Sequence, residues 1–357
     1  MKKQSEYILQ NENIFVGLED SKKTWVLCIR SGGMIVSETT MPAQYEALRN
    51  YFKNKFPGCH IEIMYEAGFG GFELHDQLEA DGWECVVTPP HTVTEEKCQR
   101  KKNDRTDCRR LAKNLENGDY HSCFVPDREL REDRQISRTY GQVSADIKRA
   151  CNRIRRALEF HGLDKDLPAG SWSSAMYARA KKRLEELELR DSLRFSFEML
   201  FRELEHLRQM KKEILLQLRK LARSARYKES VDLLMSAPGI GTLTAIRLVL
   251  EWGDISRFKR KEDFASFLGL IPSDYSSGEQ DHQGHITKQG NKAVRSLLVE
   301  SSWVAIHYDS VLLDKFRRVL RNCGSKKKAI VAVARKLAMR LRRILLTKEP
   351  YIFGVLE

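Results

Sequence analysis

An α/β unit followed by an all-α remainder is the fold class that the 357 residues predict, and three observations carry it. Residues 14–90 alternate β-prone runs with amphipathic ones. Beyond Pro126 long stretches keep an apolar 4-3 spacing. Hydrophobic residues make up 41% of the chain and aromatics 9%, enough for sizeable cores and too much for wholesale disorder. The length suits two or three domains.

Each element follows from its own residues. Runs 14–20, 24–30 and 34–41 are separated by Ser21-Lys22-Lys23 and Ser31-Gly32-Gly33, which predicts a three-stranded meander. Residues 42–56 then read as a helix, 60–67 as a strand, 71–80 as a helix, and 83–88 as a strand stopped by Pro89-Pro90. Three antiparallel strands followed by helix, strand, helix, strand is the order of an RNase H-like fold. The expected domain spans residues 1–126.

Ile136, Tyr140, Val143, Ile147, Ala150, Ile154 and Ala157 form a first apolar seam. After a break at 168–174, a second runs through Leu193, Phe197, Leu200, Leu204, Leu207, Lys211, Ile214, Leu218 and Leu221, interrupted once by the charge of Lys211. Such seams predict a helical coiled-coil region over 127–229. It closes as a hairpin, as a contact between copies, or as a bundle on its own chain. A helical C-terminal domain is expected over 230–346, closing with a basic amphipathic helix at 326–346; residues 347–357 carry no signal of their own.

Lys and Arg number 62 against 49 Asp and Glu, a net charge of +13 that suits a polyanionic partner. The charge is uneven. Residues 1–120 hold 16 basic and 19 acidic side chains and the remainder 46 and 30, so chemistry is expected in front and polyanion grip behind. Arg153 and Arg156 stand in a basic helix face able to hold phosphates, although an ordinary solvated face looks the same. The eight cysteines form no CxxC pair, which fits a reduced, cytoplasmic setting and argues against structural zinc. Neither an apolar leader nor a run of roughly 18 apolar residues is present, so no membrane role is expected.

Three constellations bear on chemistry. Glu19 and Glu66 end the first and fourth predicted strands, which are neighbours in an RNase H-like sheet, and Asp104 and Asp107 stand three apart on one helical face. Convergent carboxylates are tolerable only with cations to neutralise them, which points to metal binding and phosphodiester chemistry. Taken singly, Glu66 reads as a surface residue and Asp104 as a helix cap. Pro238-Gly239-Ile240-Gly241 before a helix reads as the turn of a helix-hairpin-helix, with Gly239 and Gly241 exposing backbone N–H groups to phosphate. The third is the loop 269–278, followed by Lys288 and a helix bearing Lys292 and Arg295. From chemistry alone Ser277 is an ordinary turn residue, and His282 and His285 lack the orienting group that a Ser-His pair needs.

Gly17-Leu18-Glu19, Glu66-Ala67, Asn103-Asp104-Arg105-Thr106-Asp107, Pro238-Gly239-Ile240-Gly241 and Gly269-Leu270-Ile271-Pro272 with Tyr275-Ser276-Ser277-Gly278 occur in the order found in one group of bacterial mobile-element enzymes. From about residue 13 to 346 the chain resembles the DEDD transposases of the one-ten insertion-sequence family. These have a RuvC-like N-terminal domain, a coiled coil and a C-terminal transposase domain. The resemblance implies a DNA recombinase directed by a structured noncoding guide RNA, the bridge RNA, that pairs with double-stranded donor and target DNA. It implies a homo-oligomer, dimer or tetramer, with acids of one subunit completing a site around the serine of another. Carried onto this chain it makes Ser277 the nucleophile and Glu66, Asp104 and Asp107 ligands of Mg²⁺, expected as two ions, with Mn²⁺ as a substitute. The family has Asp where this chain has Glu19; Asp20 follows, and adjacent strand residues face opposite ways, so only one can face the metals, and Glu19, one methylene longer in reach, keeps that place with Asp20 as its rival. A metal-dependent nuclease that hydrolyses branched DNA and an inactive nucleic-acid-binding copy are the competing readings.

Overall fold

The computed structural model describes residues 9, 11–90, 103–165, 173–274, 283–287 and 290–354. Two compact units divide the chain, Met1–Pro126 and Asp127–Glu357.

The first unit holds β1 (Asn13–Asp20), β2 (Thr24–Ser31), β3 (Met34–Pro42), α1 (Tyr45–Lys55), β4 (His60–Glu66), α2 (Glu73–Ala80), β5 (Glu84–Thr88) and α3 (Asp104–Asn117). The sheet order is β3-β2-β1-β4-β5, antiparallel from β3 to β1 and parallel from β1 to β5. Alternation along the strands sorts their side chains. Ile14, Val16 and Leu18 join Leu27, Ile63, Tyr65 and the helix residues Leu48, Phe52, Leu74 and Leu78 in the main core, under α1 and α2. On the opposite face Phe15 and Met64 pack with Leu111 and Leu115 of α3, and Cys28 with Cys108 and Ala112. Both faces of the central strands are therefore covered, which is why they read as continuous apolar runs. Fully burying one such aliphatic side chain contributes about 1.5–3 kcal/mol.

What seats α3 is a residue without a side chain. A Cβ on Gly17 would lie 2.1 Å from the Cys108 carbonyl oxygen and 2.6 Å from the Ala112 nitrogen, so helix backbone rests directly on strand backbone. Two ion pairs hold the helix in register. Arg109 grips Glu38 of β3 through Nε at 2.5 Å and Nη2 at 2.8 Å, and Arg30 Nε of β2 meets Glu116 at 2.6 Å.

The second unit comprises α4 (Arg128–Phe160), α5 (Ser174–Glu186), α6 (Asp191–Ala222), α7 (Lys228–Met235), α8 (Thr242–Trp252), α9 (Lys261–Phe267), β6 (Pro272–Asp274), β7 (Gln283–Ile286), α10 (Lys292–Ala305), α11 (Ser310–Cys323) and α12 (Lys326–Thr347). Ala150, Ile154 and Leu158 of α4 pack on Phe197, Phe201 and Leu204 of α6, with Ala180 and Leu184 of α5 alongside. Near the other end Tyr140 faces Lys211, whose Nζ lies 5.2 Å from the ring centroid, so the charged interruption of the seam is answered by a cation-π contact. The two seams close on each other as an antiparallel hairpin within one chain. Among the described residues α6 packs against α4, α5 and α8 of the same chain, so the closure seen for its seam is the one on its own chain.

Around α8 the largest core assembles. Ala245, Ile246, Leu248, Leu250 and Trp252 are fully buried, and α7, α10 and α12 pack against it or its neighbours. A helix apolar over most of its circumference belongs in the interior, and the two charges of α8, Arg247 and Glu251, share one side and meet Ser137 and Arg138 of α4. Residues 347–357, silent in the sequence, hold an anchor: Tyr351 is buried, and its hydroxyl donates to Asp309 Oδ2 at 2.7 Å. Among the described residues no helix is long and apolar enough to cross a membrane, and the described cysteines are free thiols.

Candidate active site

Two of the predicted acids, Glu19 and Glu66, stand at the carboxyl ends of β1 and β4. The pairing Leu18↔Tyr65 sets Glu19 beside Glu66 on adjacent parallel strands, at the sheet edge where α/β proteins place their ligands. Glu19 lies two residues beyond Gly17 and shares its face, the one under α3. Asn103 caps that helix, its side chain accepting from the Arg105 N–H at 3.3 Å. Because Gly17 admits the helix so closely, Asp107 in its first turn is pressed against the sheet and only 8% exposed. Arg110, one turn on, places Nη2 3.3 Å from Glu66 Oε1 and 3.3 Å from Asp107 Oδ1. One cation thus joins acids 41 positions apart in the chain, while Asp104 stands exposed a turn earlier.

Glu19 and Asp20 part company here. Asp20 sits on the α1 and α2 face, where its Oδ1 accepts from Trp25 Nε1 at 2.9 Å; burial raises its pKa and that bond opposes the rise. A Cβ on Gly70 would lie 2.2 Å from Asp20 Oδ2, so the loop after β4 closes over it. Glu19 is on the other side, and its charge reaches Cys108, as does that of Asp104. The Cys108 thiol is pushed up to about 12, first by burial and then by acids including these two. It donates to the Val26 carbonyl at 3.0 Å and stays a protonated packing group.

Carboxylate oxygens are the donors that Mg²⁺ and Mn²⁺ take. Among the described residues, however, no three Asp, Glu, His or Cys side chains stand close enough to hold one ion. What joins Glu66 to Asp107 is the Arg110 guanidinium, whose Nε is buried without a hydrogen-bond partner.

In the second unit β6 and β7 pair antiparallel, Pro272 opposite Ile286 and Asp274 opposite Gln283. They bracket residues 275–282, so Ser277 and His282 lie outside the described residues, as does Lys288. Gly239 has φ +79° and turns inward, since a Cβ there would lie 2.4 Å from the Ser301 carbonyl oxygen; Gly241, at the start of α8, is exposed with open space around it. Arg295 donates to the carbonyls of Leu268 at 3.2 Å and Gly290 at 3.0 Å, tying the segment before α10 to the end of α9. Lys292 and Arg156 are exposed, whereas Arg153 is paired with Glu203 of α6.

Sequence reasoning passed over two residues that shape this site. Gly17 was legible: a glycine inside a strand marks a close approach of another backbone. Arg110 was not, because its role depends on Glu66 arriving from another strand.

The chain is similar to known proteins over both units. The DEDD-type transposase model of the IS110 group matches residues 16–162, and a model described as the IS116/IS110/IS902 transposase family matches residues 231–317. A protein of Sinorhizobium fredii named as a transposase, y4rJ, is 28% identical over 92% of this chain and 90% of its own length. A second from that organism, y4qE, is 26% identical over 68% of this chain, the match spanning 58% of y4qE. The pilin gene-inverting protein of Moraxella bovis is 34% identical over 30% of this chain and 34% of its own length.

Proposed function

We propose that this chain, whose matched domains are those of IS110-group transposases, cuts and rejoins DNA, with Ser277 as nucleophile and Glu19, Glu66, Asp104 and Asp107 as the acidic half of the site. The observation that carries the reading is the meeting of Glu66 and Asp107 at one cation, under a helix that Gly17 lets down onto the sheet. The donor set suits Mg²⁺, with Mn²⁺ as substitute, and a divalent ion held there would offset charge on the phosphoryl oxygens. The Ser277 Oγ–P bond forms as a P–O bond to deoxyribose breaks, and the seryl proton ends on the sugar oxygen released. Rejoining runs the same exchange in reverse with a different sugar hydroxyl, so the phosphoester is conserved. A guide RNA would select donor and target by base pairing, leaving the basic second unit to read backbone. The acids and the serine belong to different units, which is compatible with a site shared between copies of the chain.

The test is a covalent adduct. Purified protein, with its RNA and Mg²⁺, should trap end-labelled DNA as a species resistant to denaturation, and Ser277→Ala should lose it completely. An adduct that persists in Ser277→Ala removes the serine from its role. Cleavage without any adduct, abolished by Asp107→Asn, would favour the hydrolytic nuclease.

Arg110 makes a second prediction. Its guanidinium stands where a cation between Glu66 and Asp107 would lie, so metal entry requires it to swing aside. Arg110→Met should cost about 1–2 kcal/mol of stability without divalent ions, since it leaves two partly buried carboxylates facing each other. It should also enlarge the rise in melting temperature on adding Mg²⁺. An identical Mg²⁺ response in both proteins would place the metal elsewhere.

A further inference from the structure

α11 and α12 are joined through Gly324, which takes φ +65°, and pack along each other. Between them opens a cleft of about 590 Å³. Lys315, Arg317, Arg318 and Arg321 line it from α11 and Lys336 from α12, with Asp314 as the one acid. Among the described residues no carboxylate forms an ion pair with Lys315, Arg317, Arg318 or Arg321. On the basic face of α4 three arginines are answered by acids: Arg149 is paired with Asp146, Arg153 with Glu203 and Arg155 with Glu159. A helix face with its cations neutralised is a solvated surface; the four α11 cations, crowded at one cavity with a single acid in its lining, repel each other until an anion arrives. Burial, followed by the charges of Arg318, Lys336 and Arg335, holds Lys315 below the usual lysine range.

Spacing and lining narrow the ligand. Lys315 to Arg321 covers about 9 Å of helix rise, roughly the axial span of two to three phosphates on one strand of a duplex. Among the described residues no aromatic ring lines the cleft, so it lacks the platforms on which unpaired bases stack. What it suits is a regular backbone with its bases turned inward. We propose that the α11–α12 cleft is a sequence-independent binding site for the phosphodiester backbone of duplex DNA. The choice of DNA rests on the transposase reading; the duplex backbone rests on the cleft.

The experiment measures affinity of the full chain for a duplex DNA of arbitrary sequence across a salt series. The variant carries Arg317→Ala, Arg318→Ala and Arg321→Ala, all at exposed positions, with its fold checked by circular dichroism melting. Its slope of log affinity against log salt should be shallower by about 2–3, near 0.9 per phosphate contact, with affinity lower by at least about tenfold. A control on α4, Arg149→Ala with Arg155→Ala, should change both far less, and lysines in place of the three α11 arginines should restore them. An α11 variant with unaltered slope and affinity overturns the proposal, as does a cleft-dependent slope seen with duplex RNA and not with duplex DNA. If the Ser277 adduct forms while the slope is unaltered, the cleft alone is wrong. If the unmodified chain binds no nucleic acid, the transposase reading falls as well.

Discussion

Gly17→Ala is expected to destabilise the first unit by about 3 kcal/mol, at the upper end of overpacking costs, and to lower DNA cleavage by about a hundredfold. The added methyl meets backbone, the Cys108 oxygen at 2.1 Å and the Ala112 nitrogen at 2.6 Å, which no rotamer change relieves. α3 must lift off β1. Asp107 travels with it while Glu66 stays on β4, so the acids separate even if the unit folds. Gly82 supplies the control. It has φ +81° with nothing within 4 Å of its Cβ position, so Gly82→Ala carries only the left-handed backbone cost of about 1–2 kcal/mol and leaves the acids in place. Urea unfolding of the two variants, together with cleavage rates under native conditions, separates the effects. Equal stability for Gly17→Ala and the unmodified protein would contradict the helix position.

The second large effect is expected in the other unit. Asp309, 1% exposed, accepts from Arg340 Nη1 and the Tyr351 hydroxyl, each at 2.7 Å, and its other oxygen caps α11 through the Leu312 N–H at 3.0 Å. Arg340 is itself 4% exposed. Asp309→Ala strands that guanidinium in the interior and should cost about 3–5 kcal/mol. Tyr351→Phe keeps the ion pair and removes two bonds to charged groups, the one its hydroxyl donates to Asp309 and the one it accepts from Arg340, for at least about 1.5–3 kcal/mol. The pH dependence has a definite sign. Burial pushes the Asp309 pKa upward, but the bonds from Tyr351 and Leu312 and the Arg340 charge outweigh it and hold it below the usual value. A depressed carboxyl contributes stability that is present above its unfolded pKa, about 3.9, and lost as pH falls through the lower folded value. Stability of the unmodified chain should therefore drop below about pH 4, whereas the acid limb of Asp309→Ala should be flatter. Parallel acid limbs would show that Asp309 is not the responsible group.

Much of this was readable from local pattern. The meander and the two following strands rest on period-two alternation between turn residues, and β1 to β5 fall within a residue or two of the expected places. The long helices are legible because apolar residues recur every three or four positions, as from Ile136 to Ala157. Lys211 looked like a flaw in its seam, and its partner, Tyr140, lies 71 positions away. Tyr351 was silent because one buried tyrosine in an irregular tail has no periodicity; only Asp309 and Arg340 give it a role.

Period, turn chemistry and charge balance, all properties of neighbouring residues, determined by themselves that an α/β unit precedes a basic helical one, and they singled out Glu19, Glu66, Asp104 and Asp107 as candidates for one site. Only the tertiary structure decided between Glu19 and Asp20, put Arg110 between two carboxylates, closed the α6 seam on its own chain and separated the paired arginines of α4 from the unpaired ones of α11. The reason is range. Which face a strand turns to the core depends on what covers it, and whether a cation is neutralised depends on an acid that another helix brings within about 4 Å.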